Sequence, residues 1–172
     1  MKKSGNVVTA RLRIIDGQAV EVEDYVSMTL PPIEYAVETM KGTGIVGEIE
    51  VPTTGHSGPM TLTIVAKSCK EVLALLTPGV HKVEGVWMRD EFNTANVRIG
   101  QTHNKIIVTG FTKTFDEGGV DLGSGADTTV TMTCNTYARY LDGRTVIDID
   151  KLNGKFEVNR VDLMAEINAK MR

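Results

Sequence analysis

Three short stretches carry residue types at spacings that chemistry can use. Gly42-Thr43-Gly44-Ile45-Val46-Gly47 reads as G-x-G-x-x-G, the pattern with which the turn between a strand and a helix cradles a dinucleotide pyrophosphate. Here it runs into Glu48-Ile49-Glu50-Val51-Pro52, which alternates like a strand and ends in proline. With no helix opening there, the glycines read as a flexible turn that lets backbones approach closely. Gly55-His56-Ser57-Gly58 approaches a nucleophile elbow, but G-x-S-x-G needs a residue between the serine and the second glycine, and a strand-to-helix setting. Asp148-Ile149-Asp150 puts two carboxylates on one face of a strand, as a glycosidase pair or a metal site does. The ordinary polar face of an amphipathic sheet has the same pattern.

His56, His81 and His103 stand singly, without H-E-x-x-H or Cys/His spacing, so the sequence offers no zinc site and implies no cofactor. Cys69 and Cys134 lie far from any metal or redox spacing and are expected to be reduced, buried thiols. With 172 residues and a formal net charge of −3, the chain is long enough for one domain with a sizeable core. It lacks the basic patch that drives nucleic-acid binding through phosphate neutralisation. No apolar run approaches the roughly 20 residues that span a bilayer, and no apolar h-region follows the first residues, so the expectation is a cytosolic product with no membrane partner.

The elements that must position these residues are clearest in the last third. Asp142-Gly143 and Asn153-Gly154 suit type I′ turns and divide residues 128–141, 144–152 and 155–158 into a three-strand antiparallel meander. Two-residue loops set Arg139 opposite Val146, Ala138 opposite Ile147, Tyr137 opposite Asp148 and Ile149 opposite Val158. One face then collects Val130, Met132, Cys134, Ala138, Tyr140, Ile147, Ile149, Phe156 and Val158 as core. The other collects Thr129, Thr131, Thr133, Asn135, Tyr137, Arg139, Asp148, Asp150 and Glu157. Asp150 falls opposite Glu157 in this register, an unfavourable pairing, relieved by water and salt on a solvated face or by cations of another subunit. After Val158 the period becomes helical, with Leu163, Met164, Ile167 and Met171 on one stripe, Asp162 near the N-terminus and Lys170 and Arg172 near the C-terminus.

Earlier in the chain, Val8, Ala10, Leu12 and Ile14 alternate with polar residues and predict a half-buried strand ended by Asp16-Gly17, with 19–22 returning beside it. Residues 25–30 and 33–37 read as extended, broken by Pro31-Pro32, which belong at an edge or kink. Residues 40–59 form a long Gly-, Thr- and Pro-rich segment with one alternating piece, 48–51. Such a length is mobile in the free subunit or held by a neighbour. Strand 61–67 follows, then Ser68-Cys69-Lys70-Glu71 in the form of a capping box before Val72, Leu73, Leu75 and Leu76. Residues 83–92, 97–101 and 105–115 read as strands, and a Gly-rich link at 116–126 leads into the meander. About ten strands, two short helices and no βαβ alternation predict a mainly β protein, an antiparallel sandwich or barrel.

The chain resembles the major tail tube proteins of contractile-tailed bacteriophages, the P2-like tube family. The resemblance rests on Arg11-Leu12-Arg13-Ile14-Ile15-Asp16-Gly17 leading to residues 26–31, on the Gly-rich 40–47, and above all on 137–165. There Tyr-x-x-Tyr-Leu-Asp-Gly-x-x-Val-Ile-Asp-Ile-Asp-x-Leu-Asn precedes Val158-Asn159-Arg160-Val161-Asp162-Leu163-Met164-Ala165-Glu166. It departs from the family at Gly154-Lys155, where members often carry apolar residues. The resemblance implies a structural, non-enzymatic subunit whose hexameric rings stack into the inner tube of a contractile tail or tail-like bacteriocin. DNA or effectors would pass through the channel, with sheath, baseplate and tail terminator proteins as partners and the particle's tail as its location.

On that reading Gly42, Gly44, Gly47, Glu48, Glu50 and His56 belong to a subunit or ring interface. Thr129, Thr131, Thr133, Arg139, Asp148, Asp150 and Glu157 form a polar surface, lumenal or interfacial, whose acidic groups would repel phosphate and let DNA slide. Ring closure removes the exposed sheet edges that burden a monomer. Two rivals of other classes remain: a monomeric β-barrel holding a small apolar ligand, and a hydrolase built on residues 55–58.

Overall fold

The structure, a computed structural model, describes residues 1–24, 26–67 and 69–171. Two antiparallel layers share one long strand. In the first, β13 (Val161–Asp162), β12 (Lys155–Val158), β11 (Arg144–Asp150), β10 (Thr136–Leu141), β8 (Arg98–Asp116), β7 (Val80–Asn93), β1 (Lys2–Asp16) and β2 (Gln18–Val22) lie side by side in that order. In the second, β3 (Val26–Thr29), β6 (Thr61–Lys67) and β9 (Asp127–Thr133) follow one another, and β9 pairs with the far end of β8. Leu12, Val83, Ile106, Val108 and Ile149 of the first layer meet Leu62, Ile64, Val130 and Met132 of the second in one buried cluster. This is the predicted mainly β sandwich.

β8 carries the corner. Its residues 104–109 pair with β10 and its residues 112–116 with β9, so it leaves one layer for the other near Gly110. A Cβ on Gly110 would sit 1.5 Å from the carbonyl oxygen of Thr133, so only glycine lets the two backbones meet at the bend. The predicted single strand 128–141 is therefore two strands, broken at Cys134-Asn135. There Cys134 donates its amide to Met60 and Asn135 to Thr109. The predicted break at His103-Asn104 is absent, since β8 runs through it.

The two helices reduce to a 3₁₀ turn, Val72–Leu76, and one short α-helix, α1 (Ala165–Lys170). Val72 and Leu75 are buried and plug one end of the core. The proposed capping box falls on Ser68, outside the described residues, and Glu71 makes no side-chain cap bond. At the other terminus Leu163 and Met164 pack on the core, while Ile167 and Met171 stay exposed, so the predicted apolar stripe is covered over its first turn only.

Segment 40–59 is not a loop. β4 (Tyr35–Met40) pairs with β5 (Ile49–Ser57) in a hairpin that forms a sheet of its own. All of β4 and the first six residues of β5 are exposed, so the hairpin projects as an arm. Its base is fixed to the C-terminal elements: Tyr35 and Phe156 stack at 5.9 Å between ring centroids, and Lys151 Nζ donates to the Gly58 carbonyl at 2.7 Å. A Cβ on Gly55 would lie 1.9 Å from Met164 Sδ.

Candidate assembly surfaces

The arm gathers the predicted interface residues. Gly42, Gly44 and Gly47 shape its tip, where Ile45 donates its amide to Gly42 and Gly44 and Gly47 take positive φ. Glu48 pairs with Lys41 across the tip. Glu50 stands opposite Thr39, and His56 is exposed near the base of β5. The register puts Met40 opposite Ile49 and Glu38 opposite Val51, so one face of the ribbon is apolar apart from a single carboxylate. Met40, Ile49 and Val51 are all exposed, and Val46 at the tip is fully so at 104%. A monomer gains nothing by holding this much apolar surface in water.

The polar set of the meander divides three ways. Thr129, Thr131 and Thr133 lie on the outer face of the second layer. There Thr29, Thr63, Thr131 and Thr114 make an uncharged row across β3, β6, β9 and β8. Asp148, Asp150 and Glu157 lie on the outer face of the first layer, which points the opposite way. Arg139 lies on neither. The break at 134–135 and a bulge in β11 between Thr145 and Ile147 shift the β10 register by one, pairing Tyr137 with Ile149 and Arg139 with Ile147. Tyr137 is thereby turned into the core, 3% exposed. The Arg139 guanidinium lies 5.7 Å from the Trp87 ring centroid, its Nε buried without an acceptor among the described residues. A one-residue slip exchanges faces, which is why Ala138 and Tyr140 leave the core and Tyr137 enters it.

The second hairpin also differs. Its loop has four residues, 151–154, so Asp150 faces Lys155 and Asp148 faces Glu157. Asp150 closes this loop, accepting from the Leu152 and Asn153 amides and the Asn153 side chain at 2.6–3.1 Å. The Asn153 bond, foremost, holds its carboxyl below the ordinary value. The compensating cation is internal: Lys155 Nζ reaches Asp148 at 2.5 Å and Glu157 at 3.7 Å. Both aspartates are thus engaged in holding the hairpin. An Asx signal was present in Asp150 and Asn153, three apart, and would have indicated the longer loop.

Further along the same outer face, Arg11 and Arg13 hold Glu21 at 3.5 Å, and Arg13 and Lys105 hold Glu84 at 3.2 and 2.8 Å. Burial would raise the Glu84 carboxyl, but Lys105 and Arg13 outweigh it and bring it below its ordinary value. The first layer therefore presents a balanced network of paired charges, the second a threonine face with Asp116 opposite Thr129 and the Lys67–Asp127 pair at one end. At the periphery, among the described residues, β2 pairs only with β1, β3 only with β6, and β1 before Leu12 only with β7, leaving open edges at the rim.

The described residues thus form two antiparallel layers with open rims and a projecting arm. The fold is shared with solved structures of contractile injection particles. A chain of the sheath–tube complex of an extracellular contractile injection system in its extended state superposes with a TM-score of 0.54 at 12% identity, over 79% of this chain and 90% of that one. A chain of the sheath/tube terminator of the same system gives 0.53 at 11%, over 78% and 95%. No curated protein matches. The family described as phage tail tube protein FII matches residues 10–171, and the chain belongs to it: it is a tail tube protein.

Proposed function

We propose that the chain assembles into hexameric rings that stack as the inner tube of a contractile tail or tail-like particle, enclosing a channel for DNA or effectors. A sheath surrounds this tube, and baseplate and terminator proteins meet its ends. The observation that carries the reading is the exposed β4–β5 arm together with the open rims of both layers, surface that only assembly covers. The two outer faces point opposite ways, so one lines the channel and the other meets the sheath. The space between the layers is filled by Leu12, Leu62, Ile64, Ile106 and Met132, which speaks against a barrel that holds a ligand in its interior.

Sedimentation velocity tests the reading. The wild-type protein sediments as rings and tubes at high concentration. Replacing residues 43–46 at the arm tip by a two-residue turn leaves circular dichroism unchanged and holds the protein at monomer. Equal sedimentation of the two proteins would remove the arm from the assembly.

A further inference from the structure

At one end of the sandwich the 3₁₀ turn Val72–Leu76 closes the core with Val72 and Leu75, while Leu73 and Leu76 on its outer side are exposed. The turn is thinly held. Val72 and Leu73 donate their amides to the Cys69 carbonyl and Ala74 to that of Glu71 at 3.2–3.3 Å, and the Thr112 hydroxyl reaches across from β8 to the Leu75 carbonyl at 2.7 Å. Just past the turn, the Thr77 carbonyl faces Nε2 of the buried His81 at 2.7 Å. A Cβ on Gly79 would meet nothing within 4 Å, so the chain has room to move between the turn and β7.

The other ring nitrogen of His81 faces Asp16 Oδ2 at 2.6 Å. With both nitrogens protonated, both contacts are hydrogen bonds. A neutral ring has one proton for two acceptors, so one contact sets lone pair against lone pair at 2.6 or 2.7 Å and has to break. Charge decides which. A carboxylate is the stronger acceptor and the worse neighbour for a bare nitrogen, so the proton stays on Nδ1 against Asp16 and the Thr77 end lets go. The surroundings offer no rival. β8 brings Gly110 opposite His81, and of the charges on the elements around the ring, Asp16 on β1, Glu71 before the turn, Lys82 on β7 and Lys113 on β8, the one that acts on it is Asp16.

We infer that His81 is a pH-sensitive latch on this plug: the doubly protonated ring ties Thr77 to Asp16, and the neutral ring keeps Asp16 and releases Thr77, loosening Val72 and Leu75 in the end of the core. The two contacts together raise the pKa of His81 above 6.5, so the latch is closed in acid and opens as pH rises through the folded-state value. The element it biases is a short segment with few bonds of its own, the kind that opens locally at far less than the global free energy. Leu73, Leu76 and Val80 are all exposed on or beside the released stretch, so pH sets whether this apolar end is a fixed or a movable surface. The latch lies within one chain and does not rest on the tube reading.

Nuclear magnetic resonance of the dilute wild-type protein tests it. As the ring titrates, the nitrogen shifts of His81 should show Nε2 losing its proton and Nδ1 keeping it. Over the same range the amides of Val72, Leu73 and Ala74, relative to their intrinsic exchange rates, should lose about tenfold in protection against hydrogen exchange, the scale of one hydrogen bond. Asp16→Asn removes the carboxylate, and the midpoints of both changes should fall together by about one pH unit. His81→Gln cannot titrate and should give protection independent of pH; the wild-type and Asp16→Asn readings decide the matter even where that variant does not fold. A neutral ring with its proton on Nε2, plug amides whose protection is unchanged through the titration, or an Asp16→Asn midpoint that stays in place overturns the latch.

Discussion

His81 Nδ1 lies 2.6 Å from Asp16 Oδ2, while the opposite ring nitrogen lies 2.7 Å from the Thr77 carbonyl. A carbonyl only accepts, so Nε2 donates to it, and Nδ1 donates to the carboxylate when the ring carries both protons. In that protonated form the ring clasps the β1–β2 turn to the segment after the 3₁₀ turn. The other group at the carboxylate is the Lys82 amide, 3.5 Å from Asp16 Oδ1.

Burial of His81 favours the neutral ring, but the Thr77 carbonyl and the Asp16 carboxylate outweigh it and raise its pKa above 6.5. The clasp's contribution is therefore complete below that value and fades as pH rises through the folded-state pKa. Urea unfolding at pH 6 should show His81→Gln less stable than wild type by roughly 2 kcal/mol, the usual scale for hydrogen bonds to charged groups. By pH 8.5 the gap should narrow. A gap independent of pH would mean that the ring is held neutral.

Lys155 should matter through Asp148 and Glu157, which face each other across β11 and β12. Lys155→Met leaves two opposed carboxylates with no cation between them. These side chains are partly solvated, so the loss should be roughly 0.5–1 kcal/mol at low salt and shrink towards zero at about 1 M NaCl. Denaturation at the two salt concentrations reads it, and a loss untouched by salt would point to packing of the lysine stem instead.

Gly110→Ala probes the corner. The added methyl meets the Thr133 backbone and not a movable side chain, so the strands must part or the bend must open. A cost of about 3 kcal/mol is expected, at the upper end of ordinary overpacking, and lowers the melting temperature by roughly 6–12 °C for a chain of this size. Calorimetry of the variant at a concentration below assembly measures it.

The strands were legible because their alternation is set by burial. β6 spans the predicted 61–67, and β2 returns beside β1 as Asp16-Gly17 indicated. The register was not legible. The four-residue loop at 151–154 carries a local signal in Asp150 and Asn153, but the bulge at Val146 and the close approach of Gly110 to Thr133 have none in the sequence. Hence Arg139 was assigned to the wrong face, and the Asp148 and Glu157 repulsion was found one pair along from its expected place, already neutralised by Lys155. Segment 40–59 has the composition of a loop, and its strand β5 finds its partner in β4, which runs on past Val37 to Met40.

Cryo-electron microscopy of the wild-type protein at high concentration tests the central claim most directly. The account predicts sixfold rings stacked as a hollow tube, with each subunit's rims and β4–β5 arm in contact with neighbouring copies. A uniform population of isolated subunits, or an assembly in which the arms and rims face solvent, would contradict it.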